Sequence, residues 1–191
     1  MVGLIVGCVV GGIVLITIVA IIVWWISTYN ALIKLRNSVD ESYSTMDVYM
    51  KKRYDLIPNL VETVKGYAKH EKETLENVIK ARYTCMSADA PEEKAKAENM
   101  LTGTLKTLFN ITENYPALKA DANFQELSRT LKELEVEVAS SRKYYNGVVK
   151  LYNNKREVFP SNIIAKRYKF EKATLFEIED KEERKAPSVQ F

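Results

Sequence analysis

Few residues in this chain combine the type and spacing that chemistry requires. The single histidine, His70, stands in Ala68-Lys69-His70-Glu71-Lys72, a charged stretch read here as helix. A general base needs an orienting partner and a nucleophile within reach, and no such constellation is recognisable around it. His70 therefore reads as a solvated surface side chain. A carboxylate-bridged di-iron centre needs Glu-x-x-His pairs, and the residue three before His70 is Tyr67. Cys8 and Cys85 have no zinc or thiol-redox spacing and cannot build a disulfide framework. Glu92-Glu93 and Glu182-Glu183 read as helix-cap and tail charge. Beyond residue 33 the glycines are Gly66, Gly103 and Gly147, too dispersed for a phosphate-binding loop. The expectation is a protein with no catalytic residue, no cofactor and no metal site. A hydrolase or metalloenzyme is the least favoured class.

Three other patterns have local meaning. Pro58 lies inside an apolar helical pattern, Asp55-Leu56-Ile57-Pro58-Asn59-Leu60, where proline costs about 3 kcal/mol unless compensated. It is expected to kink or split the helix near Leu56, with Asp55 and Asn59 as partners for freed backbone groups and a docking role as the sharper alternative. Tyr145-Asn146 and Tyr152-Asn153 are one heptad apart and share a helix face, and their hydroxyls and amides need partners at helix contacts. The C-terminal Val189-Gln190-Phe191 has the alternate apolar residues that PDZ domains take as an added strand, a pattern too short to be specific.

These residues need elements to hold them, and the charge distribution defines the first. The chain has 191 residues with 28 Lys+Arg and 25 Asp+Glu, all at or after Lys34, for a net charge of +3. So even a balance gives no basic excess for nucleic acid. From Val2 to Ile26 the only polar residue is Thr17. At about 1.5 Å per residue such a run exceeds a hydrocarbon core of roughly 30 Å, so a membrane-spanning helix is expected. It lacks the basic start and small-residue cleavage site of a signal peptide. Ile5-Val6-Gly7-Cys8 looks like a lipobox, but the long apolar run follows the cysteine instead of preceding it. Lys34 and Arg36, then Lys51, Lys52 and Arg53, follow the span and no Lys or Arg precedes it, so the positive-inside rule puts the C-terminal part in the cytoplasm. Trp24, Trp25 and Tyr29 form the expected interfacial belt. Gly3, Gly7 and Gly11 make a double GxxxG on one helix face, extended by Cys8 and Gly12, which predicts association of membrane helices.

Downstream, Leu32, Leu35, Val39, Tyr43, Met46, Met50, Ile57, Leu60, Val64, Tyr67 and Leu75 recur at helical period and predict one helix continuing from the span as a stalk. Asp89 is expected to cap a second helix that Pro91, Glu92 and Glu93 open and that runs to about Glu113. Asn114-Tyr115-Pro116 ends it, and Asn123 with Glu126 as a capping box opens a third that Phe159-Pro160 closes. Ser161 is expected to cap a short helix carrying Ile163, Ile164, Tyr168 and Phe170. Leu175, Phe176 and Ile178 suggest a short extended piece, and Glu177–Lys185 a mobile charged run. The scarcity of glycine and proline excludes an all-β fold. The expected class is all-α, divided into a transmembrane anchor (1–28), a helical domain (29–170) and a mixed-charge tail (171–191).

Several of these stretches together resemble a known family. Tyr29-Asn30, RYDLIPNLVETVKGYAKHE (Arg53 to Glu71), Ala81-Arg82, ENYPALKADANF (Glu113 to Phe124) and YNGVVKLYNNKREVFPSNIIA (Tyr145 to Ala165) are similar to the LemA family of bacterial membrane proteins. The resemblance implies a short external N-terminus, one membrane helix and a cytoplasmic antiparallel helical bundle. It implies no catalytic residues. The double GxxxG is no part of it and stands on its own spacing. Two functions are then expected to compete. One is a self-associating, non-enzymatic scaffold in the bacterial inner membrane, with lipids and further copies of itself as partners. The other is a monomeric adaptor that docks a membrane protease or signalling protein through the Pro58 region or the tail.

Overall fold

The computed structural model describes residues 1–176. Ile178, the Glu177–Lys185 run and Val189-Gln190-Phe191 lie outside the described residues. Within them the order is α1 Val2–Tyr67, α2 Lys72–Ser87, α3 Pro91–Thr112, α4 Pro116–Lys119, α5 Ala122–Glu157 and α6 Ser161–Arg167, and no strand occurs among the described residues. The all-helical class expected from sparse turn formers holds. The residues group into two compact units, Met1–Glu41 with Gly147–Ala173, and Ser42–Asn146 with the chain from Thr174. Both α1 and α5 contribute to each.

In the first unit α1 has two regimes. Its apolar side chains from Ile5 to Val23 stay exposed, Ile16 for example at 69%, and this is one helix long and apolar enough to cross a membrane. Burial then begins at Thr28 and Leu32. The end of α5 and the segment after α6 are joined by side chains acting on backbone. Asn153 donates from Nδ2 to the carbonyl of Ala173 (2.9 Å) and accepts the Ala173 N–H at Oδ1 (3.0 Å). An asparagine amide has the donor and acceptor of a peptide group, so it pairs with residue 173 as a neighbouring strand would. Tyr152 donates its hydroxyl to the Glu171 carbonyl (2.8 Å) and Arg156 its Nε–H to that of Phe170 (2.9 Å). Ser161 does not cap α6 as expected. Its hydroxyl turns back to the carbonyls of Lys155 (2.6 Å) and Val158 (3.0 Å), the latter also accepting the Asn162 N–H (2.9 Å).

In the second unit the buried positions of α1 run Ser42, Met46, Met50, Arg53, Ile57, Leu60 and Val64. Pro58 does not split the helix. A proline at 58 deprives the Tyr54 carbonyl of its i+4 donor, and Arg82 of α2 supplies a replacement, Nε–H to Tyr54 O at 2.7 Å. Nor does α1 reach Leu75. It stops at Tyr67, and the Glu71 N–H closes a turn onto the Ala68 carbonyl (3.1 Å). This folds α2 back so that Leu75, Val78, Ala81 and Cys85 are buried. His70 consequently sits exposed in a turn instead of on a helix. Asp89 does not cap α3, whose N-cap is Ala90 without a side-chain bond, and at the start of α5 the cap is Asp121, not Asn123. Asp121 Oδ1 accepts the Phe124 N–H (2.8 Å), and Oδ2 accepts the Tyr67 hydroxyl (2.8 Å). Those bonds, the backbone one foremost, hold its carboxyl below the usual range. Asp121 wins because it immediately precedes the first helical residue and gains a second donor from α1. Tyr145 and Asn146 repeat the pairing in this unit, Tyr145 to the Thr174 carbonyl (2.8 Å) and Asn146 to both backbone groups of Phe176 (3.0 and 2.8 Å).

Arg82→Met keeps the apolar stem but leaves the Tyr54 carbonyl without its donor, an expected loss of about 1–3 kcal/mol. In a Pro58→Ala background residue 58 regains its N–H and the same substitution should cost measurably less. Denaturant unfolding of the four proteins of that cycle reads the coupling.

Candidate functional site

The strongest polar constellation lies in the core of the second unit. Arg53 and Glu98 are both 0% exposed and form an ion pair. Arg53 also pairs with Glu135 of α5 and donates to Thr102 of α3 (3.3 Å). Tyr54 donates its hydroxyl to the other Glu98 oxygen. These groups come together because helical period brings residue 53 to the same stripe as Met46, Met50 and Ile57, and residue 98 to the stripe of Leu101, Leu105 and Leu108. Burial opposes the Arg53 charge, but Glu98 and Glu135 outweigh it and raise its pKa. Burial, reinforced by Glu98, raises Tyr54 far above the ordinary phenol range and pushes the Cys85 thiol up to about 12. A thiol held protonated and 0% exposed is no nucleophile. The cluster fastens α1 to α3 and α5. A second ion pair, Lys94 with Asp47, joins α3 to α1 nearby.

The belt predicted at the end of the apolar segment lies in the first unit, and it is built from more than α1. Trp24 and Trp25 pack edge to face at 6.4 Å. Trp25 donates its indole N–H to the Tyr168 hydroxyl (3.3 Å), and Tyr29 packs on Tyr168 (4.7 Å) and Phe170 (5.9 Å). Tyr168 and Phe170, expected from sequence as positions of a short helix, thus join Trp24, Trp25 and Tyr29 in one aromatic cluster. Gly7 and Gly11 lie on the exposed apolar part of α1, where a Cβ at either would meet nothing within 4 Å. Gly3 belongs to the same helix.

Elsewhere in the second unit an open groove of about 1000 Å³ runs between the end of α1 and α2, lined by Val61, Leu75, Ile79 and Tyr83 with Lys65, Lys69, Lys72 and Lys80 at its sides. Glu62 and Glu76 on the same walls pair with Lys65 and Lys72. Among the described residues no group of three or more His, Cys, Asp or Glu side chains could hold a metal ion.

Among the described residues the chain is an all-helical protein with one N-terminal helix long and apolar enough to cross a membrane and a buried arginine–glutamate pair in its second unit. The chain belongs to the LemA family, whose model matches residues 42–191. It is also similar to Protein LemA of Metamycoplasma hominis, with 23% identity over 157 residues, covering 80% of this chain and 70% of that relative.

Arg53→Met leaves Glu98 buried without its counter-charge, and the expected loss is about 3–5 kcal/mol. Arg53→Met with Glu98→Leu removes both charges and should recover much of it; denaturation midpoints of the two variants make the comparison. Stability should also fall on the alkaline side. Unfolded Cys85 ionises near 9.0 and the folded thiol near 12, so the folded state holds the extra proton in that window. Its contribution is complete below about pH 9 and disappears as pH rises through about 12. Cys85→Ala is expected to flatten the unfolding midpoint measured against pH over that range.

Proposed function

We propose that this protein is a non-enzymatic scaffold of the bacterial cytoplasmic membrane, crossing it once with the N-terminus outside and holding an antiparallel helical bundle on the cytoplasmic side. The observation that carries the reading is α1, whose exposed apolar stretch continues without a break into helix with a buried stripe. A helix of that kind transmits orientation from an anchor to whatever is built on it. Contacts of α1 with α5 support the antiparallel arrangement, since Tyr43 meets Tyr145, Arg53 meets Glu135 and Tyr67 meets Asp121, rising along one helix and falling along the other. Lys34 and Arg36 after the span support the orientation. Family membership is consistent with the membrane setting and supplies no catalytic residue.

In this reading the copies associate through Gly3, Gly7 and Gly11, where the open face at Gly7 and Gly11 lets two backbones approach closely. Native mass measurement of the full chain in mild detergent should give an oligomer that Gly7→Leu shifts toward monomer. A wild-type monomer under those conditions overturns self-association. One observation favours the second reading, a monomeric adaptor: the lysine-edged groove between α1 and α2 is open and has an apolar floor. Crosslinking would then recover a stoichiometric foreign protein seated there.

A further inference from the structure

The corner made by the end of α5, α6 and the turn after it presents a face unlike that of a soluble domain. Val158 (53%), Phe159 (79%), Ile163 (48%) and Tyr168 (49%) are exposed apolar or aromatic side chains within eleven residues. From Val158 to Phe170 there is no Asp or Glu, while Lys166, Arg167 and Lys169 are all exposed. Lys169 occupies a left-handed backbone conformation, φ 55°. It is the turn residue that ends α6, with Phe170 N–H bonded to the Ala165 carbonyl (2.9 Å) and Lys169 N–H to that of Lys166 (3.3 Å). Glycine is the usual occupant of that position because a Cβ clashes there. Here the position is a lysine. Between α5 and α6 a cleft of about 210 Å³ is lined by Arg156, Lys166, Lys169 and Asn162, with Glu157 as its one carboxylate, and the buried Oδ1 of Asn162 has no hydrogen-bond partner.

The height of this corner is set by its contact with α1. Tyr168 bonds Trp25 and stacks on Tyr29, the residues that end the apolar stretch. A face joined to that belt by Tyr168, apolar at Phe159 and Ile163 and basic at Lys166, Arg167 and Lys169, matches the boundary between acyl chains and anionic headgroups. We propose that the α6 corner is a second membrane contact that binds anionic phospholipid, seating Phe159 and Ile163 at the acyl boundary and the phosphate of a headgroup against Lys166 and Lys169. This rests on the membrane-spanning reading of α1. The source is the bilayer in which the anchor sits, because the Trp25–Tyr168 contact brings the corner to that surface.

The test uses the full chain reconstituted in phosphatidylcholine vesicles with and without phosphatidylglycerol. A membrane-impermeant amine reagent is applied and labelling is read by peptide mass, with exposed Lys106 of α3 as the reference on the same chain. In phosphatidylglycerol vesicles Lys166 and Lys169 are expected to react at least about fivefold more slowly, relative to Lys106, than in phosphatidylcholine alone, the factor one cation gains near an anionic surface. The Phe159→Ser, Ile163→Ser double variant should lose most of that protection while Lys106 is unchanged. Rates equal to Lys106 in both vesicle types overturn the proposal. Protection of the same size in both also overturns it, in favour of a protein covering the corner. Full chain that washes off the vesicles in alkaline carbonate overturns the membrane-spanning reading and this inference with it, whereas retained chain with unprotected lysines overturns this inference alone.

Discussion

Residues 53 and 54 are the constraint on which the helical core depends. A guanidinium with no exposed surface cannot stay charged without counter-charges, and Arg53 has one from α3 and one from α5. Separating any of the three helices would strand a charge at low dielectric, a cost larger than that of breaking most apolar contacts. Tyr54 extends the same node, giving its hydroxyl to Glu98 and its carbonyl to Arg82 of α2. One helical step of α1 therefore addresses each of the other long helices of its unit. Pro58 is part of that arrangement, since it is the proline that frees the Tyr54 carbonyl for α2.

In the first unit the organising constraint is different. Apolar side chains of α1 from Ile5 to Val23 are left exposed, Trp24 and Trp25 are half-buried, and the first buried position is Thr28. Aromatics from two separated stretches, Trp24, Trp25 and Tyr29 against Tyr168 and Phe170, occupy that change of regime. The segment carrying Phe170 to Ala173 is fixed through its backbone by Tyr152, Asn153 and Arg156, so its own side chains are free to serve other ends.

The parts of this legible in the sequence were those encoded by periodicity or composition. The charge-free run to residue 33, the helical stripe from Leu32, the break at Asp89–Pro91 and the shared face of the two Tyr-Asn pairs all appear in the structure. Arg53 is not legible from the apolar stripe, because its charge hides it between Met50 and Ile57. The seven-residue step was the available signal, since a helix that skips a turn of its stripe must bury something there. Asn123 and Ser161 were assigned caps on residue type. Both lost to competition that local sequence does not contain, Asp121 gaining a donor from Tyr67 and Ser161 finding the carbonyls at the end of α5. His70 was placed on a helix because Leu75 continued the period of α1 across a turn that only the burial of α2 requires.

By itself the sequence determined the all-helical class and the apolar N-terminal helix with its position. These follow from runs and periods, which act over neighbouring residues. The tertiary structure decided which polar residues were interior. Glu98 reads as one more acid among the charges of α3 and Arg82 as one more base on α2, and only the approach of α1 turns the first into a buried counter-ion and the second into a substitute for a missing backbone donor. Desolvation is a property of what surrounds a group, and what surrounds these comes from residues 28 to 82 positions away in the chain.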